Sequence, residues 1–202
     1  MATTEQLKNL VDITLSRTKH FLQERKHIDP VVVVFDAATA VPVGGMPIPG
    51  IVLSQDEYKE SFFNTGAKAC RDTDTGMMTV LESWQLDLDK AVARDPARLA
   101  AAEDKIRKDG NLAAARAGYG IVRECVAICA QTEDHYYLVS QPFDALDGRG
   151  DVIPPNDKPD QNPYTFWFDE PSVFHDADGN RCVDGRILSL YKGAQKMDVS
   201  AG

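Results

Sequence analysis

The sequence predicts an α+β fold: a mainly antiparallel or mixed sheet, helices packed on one face, and long polar loops. Three observations carry this expectation. Apolar residues at helical spacing open the chain. An unbroken apolar run at residues 31–35 reads as an interior strand. Several strand-like runs then gather after residue 121. The 202 residues are expected to form a single domain, 1–202.

Thr3 can cap the first helix, and Gln6, three residues on, can complete a capping box. Leu7, Leu10, Val11, Leu15, Phe21 and Leu22 supply its apolar stripe, and the helix should end near Lys26 and His27. Asp29-Pro30 breaks the pattern. Val31, Val32, Val33, Val34 and Phe35 show no polar alternation, as for a strand covered on both faces. Pro42, Gly44, Gly45, Pro47, Pro49 and Gly50 read as turns, with a short strand at Ile51, Val52 and Leu53. Ser54 can cap a second helix over about 55–71, with Tyr58, Phe62, Ala69 and Cys70 as its buried stripe. A turn at 72–76 then leads into a strand ending at Trp84.

Residues 87–118 turn to Ala and charged side chains and are expected to form a peripheral insertion. Residues 121–130 and 136–143 read as a hairpin. A Pro/Asp-rich loop spans about 146–162. Tyr164, Thr165, Phe166, Trp167 and Phe168 make an aromatic strand, Asp176 to Asn180 a turn, and residues 186–191 a last strand.

Hydrophobic and charged fractions of 43% and 26% are those of a globular protein. The net charge of −9 argues against nucleic acid, which calls for a basic stripe, and is compatible with a basic partner. The four cysteines form no C-x-x-C pair. Cys125 and Cys129, four residues apart on a strand, are roughly 13 Å apart, too far for a disulfide. No signal peptide and no run of ~20 apolar residues is present, so no membrane association and a cytoplasmic location are expected.

The candidate catalytic residues are Glu82, Arg123 and Glu124. Alternation places Glu82 with Met78, Val80 and Trp84, and Glu124 with Val122, Val126 and Ile128. A carboxylate desolvated there needs a partner, or has a raised pKa suited to acid–base work. A structural ion pair explains the same residues. His175, Asp176 and Asp178 are weak metal candidates. The calcium-loop pattern fails, because Arg181 and Ile187 stand where Gly and Glu are required. His20 and His27, seven apart, lack the spacing of a helical metal pair. Gly44 to Gly50 lacks the Lys-Ser/Thr of a phosphate loop, and no cofactor is expected. Alternation puts Trp167 opposite Tyr164, Phe166 and Phe168, which makes Trp167 and Tyr164 candidate binding residues.

The leading expectation is an acidic intracellular accessory protein that binds a macromolecular partner, a protein of unknown identity. One alternative is an enzyme using Glu82 and Glu124 with Arg123 in a pocket between sheet and helices. The other is a small-molecule sensor or carrier built on such a pocket.

Overall fold

The computed structural model describes residues 2–86, 122–132, 135–153, 158 and 163–175. The 87–118 insertion, Asp176, Asp178 and the 186–191 strand lie outside them, as does most of the second half of the 146–162 loop.

Helix α1, Thr4–Arg25, starts as its sequence dictates. Thr3 N–H donates to Gln6 Oε1 at 2.8 Å, and Gln6 N–H donates to Thr3 Oγ1 at 3.2 Å. Lys26, in the left-handed region at φ 66°, closes the helix. Strand β1, Val31–Asp36, follows and pairs antiparallel with β2, Pro42–Pro47. Helix α2, Gly50–Ser54, and helix α3, Asp56–Asp72, lead to β3, Thr75–Leu86. Then come β4, Val122–Gln131, β5, Tyr136–Leu146, β6, Val152–Ile153, β7, Thr165–Phe168, and β8, Ser172–His175. The strands form one antiparallel sheet, ordered β2-β1-β3-β4-β5-β6, with β7 and β8 also paired to β5. This is the expected α+β class.

Four local expectations are corrected. The Pro/Gly stretch expected as turns is strand β2. It is an edge strand exposed along its whole length, with prolines at its two ends, where missing N–H groups and absent side chains are tolerated. Ile51, Val52 and Leu53, expected as a strand, lie in α2. Ser54 ends α2 rather than capping α3; its hydroxyl donates to Ile51 O at 2.9 Å. The buried stripe of α3 is Phe63, Ala67 and Cys70, while Tyr58 and Ala69 are exposed.

The chain divides into two compact units. The first comprises Met1–Leu81, Ala127–Ser140 and Ser172–Gly202. The second comprises Glu82–Val126 and Gln141–Pro171. In the first, the pleat sends Val32, Val34 and Met77 to one side of the sheet and Val31, Val33, Met78 and Val80 to the other. Helix α3 packs on the first side through Phe63, Ala67 and Cys70, against Val32 and Met77. Helix α1 runs over the second side. The expected single helical layer is therefore divided between two faces, as a strand apolar on both sides requires.

Gly76 lies directly across from Phe35 in the β1–β3 register. A Cβ there would stand 2.2 Å from the Phe35 ring and 2.9 Å from Gln131 O. Gly76→Ala is expected to lower stability by about 2–3 kcal/mol through overpacking, read as a urea midpoint shift. An unchanged midpoint would contradict the close approach.

The β1–β2 connection is held by Asp36. The Thr39 hydroxyl and the N–H groups of Thr39 and Ala38 donate to Asp36 Oδ1, at 2.7, 2.8 and 3.1 Å. The Thr39 hydroxyl, then the Thr39 N–H, hold the carboxyl below the usual carboxylate range. A depressed native pKa gives stability that is complete above the unfolded value near ~3.9 and lost as pH falls through the native one. Asp36→Ala is thus expected to be less stable than the parent at pH 7, and the gap to close in strong acid. A gap independent of pH in urea titrations would refute this role.

Candidate functional site

The charged residues singled out in the sequence lie in the second unit, on strands whose alternation separates them. Arg123 and Glu124 are consecutive on β4 and face opposite ways.

Arg123 is half-buried. Its Nε and Nη2 donate to the two carboxylate oxygens of Asp144 at 3.3 and 2.6 Å, a bidentate pairing, and its Nη1 donates to Asp169 Oδ2. Burial pulls the guanidinium pKa down, but the hydrogen bonds to Asp169 and Asp144 outweigh it, and the pKa is raised.

Glu124 is paired on the other face with Lys158, at 2.6 Å; their side chains are 13% and 17% exposed. The Lys158 ammonium also stands 5.5 Å from the Phe143 ring centre and 5.4 Å from that of Phe166. The pair fixes Lys158 against an aromatic cluster in which Phe143 and Phe166 meet edge to face at 5.3 Å.

Glu82 is exposed, although Met78 and Val80 on the same strand are buried. Glu82 is therefore not the buried carboxylate that its neighbours suggested. Tyr164 is half-buried and packs edge-on against Phe166 at 5.4 Å. Trp167 projects to the opposite side and is 60% exposed. Its β5 partner in register is Asp144, so Trp167 and the Arg123–Asp144 pair share one face. His175 ends β8, and Asp176 and Asp178 lie outside the described residues. Among the described residues, no group of three or more His, Cys, Asp or Glu could hold a metal ion.

A concavity in the first unit was not assigned to residues by the sequence. It is a hollow of about 870 Å³ between α2–α3 and the Val32–Val34–Met77 side of the sheet. Cys70, Phe62 and Gly66 form its helical wall, and Met46, Ile51 and Tyr58 its exposed rim. No charged residue lines it among the described residues. Its polar groups are the hydroxyls of Tyr58, Ser61, Thr65, Thr73 and Thr75. Burial pushes the Cys70 thiol up, against a lowering hydrogen bond with Thr75, so the thiol stays protonated and behaves as an apolar wall. A volume of this size, apolar with a few hydroxyls, falls within the range that small molecules fill. Glu82, Arg123, Glu124, Tyr164 and Trp167 take no part in it.

No protein-family model, curated protein or solved structure matches this chain.

Asp144→Asn is expected to cost about 2 kcal/mol of stability, because it weakens the charge-assisted bonds of a half-buried guanidinium. Trp167→Ala, which removes an exposed ring, should stay within about 0.5 kcal/mol of the parent. Urea unfolding of both variants checks the pair of values. Equal costs would mean that Arg123 does not organise this face.

Proposed function

We propose that this protein binds a small molecule, and that the hollow beneath α3 takes a neutral, largely apolar ligand. The observation that supports this is the uncharged lining of a site of about 870 Å³. An ionised ligand would lose its hydration there with no counter-charge among the described residues. A neutral ligand would bury its apolar surface on Val32, Val34, Met77 and Phe62 and turn a hydroxyl or carbonyl to Tyr58, Ser61 or Thr65. The protein then acts as a sensor or carrier. The enzyme alternative is not carried forward: Glu124 and Arg123 face apart, each is already ion-paired, and Glu82 is exposed.

Trp167 favours a second reading, a surface for a macromolecular partner. It is a large exposed aromatic beside charges already fixed by their own pairings, the pattern of an interface anchor. The net charge of −9 suits a basic partner. Trp167→Ala would then weaken capture of that partner without unfolding.

Decanol serves as the neutral probe for the hollow. At a hundredfold excess over its Kd it is expected to stabilise the protein by about 2.7 kcal/mol, a shift of several degrees in Tm. Thr65→Trp, placed on the wall of the hollow, should fold normally and lose the shift. A shift of equal size in the filled variant, or no response to decanol and to naphthalene, would overturn this reading.

A further inference from the structure

The same three strands carry a second hollow on their opposite face, under α1. It measures about 480 Å³, and its floor is Val31, Val33, Met78 and Val80. Its walls, unlike those of the first hollow, carry ionisable side chains: Arg17, Arg25, His27 and Asp29. Arg17 and Arg25 line it, eight residues or about 12 Å apart along the helix axis. The Arg25 guanidinium stands 5.3 Å from the Phe21 ring centre. Phe21 is itself 47% exposed at the wall.

Neither guanidinium has a carboxylate partner among the described residues. The carboxylate in the lining is Asp29, which is 78% exposed and faces His27 Nε2 at 3.9 Å. An apolar floor flanked by two unneutralised guanidiniums is complementary to a molecule with an apolar body and one negative head. We propose that this hollow binds an amphipathic organic monoanion of the carboxylate type. Its tail lies on Val31, Val33, Met78 and Val80, and its head is held by Arg17 and Arg25, whose planar donor forks match a carboxylate. The site is distinct from the neutral hollow beneath α3 and does not depend on that hollow being occupied.

The test is isothermal titration of the full chain with decanoate, decanol and decylammonium, which share a tail and differ in charge. Arg17→Gln, Arg25→Gln and the double variant remove the charges at exposed positions, with circular dichroism to confirm the fold. The double variant is expected to bind decanoate at least tenfold more weakly while its decanol affinity is unchanged. Thr65→Trp, which fills the other hollow, should leave decanoate binding intact. The proposal is overturned if the parent does not bind decanoate, if the double variant binds it as tightly as the parent, if Thr65→Trp abolishes it, or if decylammonium binds equally well. A failure of decanol to bind would remove the neutral site and leave this one standing.

Discussion

The structure of the first unit depends on one constraint: strand β1 is apolar on both of its faces. Val32 and Phe35 are buried, and Val31, Val33 and Val34 half-buried, so no side of this strand can be left to water. Its neighbour β3 repeats the demand through Met77, Met78, Thr79, Val80 and Leu81, all buried. Two helical layers meet it. Phe63, Ala67 and Cys70 close one side. Leu7, Leu10, Val11, Leu15 and Leu22 form the buried stripe of α1, which runs over the other. Each fully buried large apolar side chain contributes about 1.5–3 kcal/mol, so helix placement is dictated by burial more than by helix propensity.

The two hollows arise where that cover is incomplete. Edge strand β2 presents Gly44 and Gly45 opposite Val34 and Val33. With no side chains at these positions, the β1 valines are bare toward both faces, and both glycines line both hollows. The walls then set the chemistry. Helix α3 offers hydroxyls and a protonated thiol, and α1 offers guanidiniums. A sheet of this kind can present a neutral site and an anion-binding site back to back, separated by one layer of backbone.

What was legible in the sequence was local. The Thr3–Gln6 box, the helix end near Lys26, the β1 run and the β4–β5 hairpin each follow from residues close together in the chain. The edge strand was not legible, because Pro42, Gly44, Gly45 and Pro47 have the composition of a turn and become a strand only by pairing with β1. Tertiary pairing overrode propensity there. Arg123 and Glu124 were visible as charges in strands. Their partners Asp144, Asp169 and Lys158 were not, since they lie 21 to 46 residues away and alternation alone names no partner. Glu82 misled because its apolar neighbours on the same strand suggested burial that stops at Leu81. The hollows were anticipated only as a pocket between sheet and helices; their lining depends on which residues the packed helices leave uncovered.

The central claim is that the two faces of β1 and β3 bind chemically different ligands. Methyl NMR on protein labelled at valine and methionine tests it most directly, because alternate residues report on opposite faces. Decanol is expected to move the Val34 and Met77 methyls, and decanoate those of Val33 and Met78. Both ligands moving the same methyls, or neither moving any, would contradict the account.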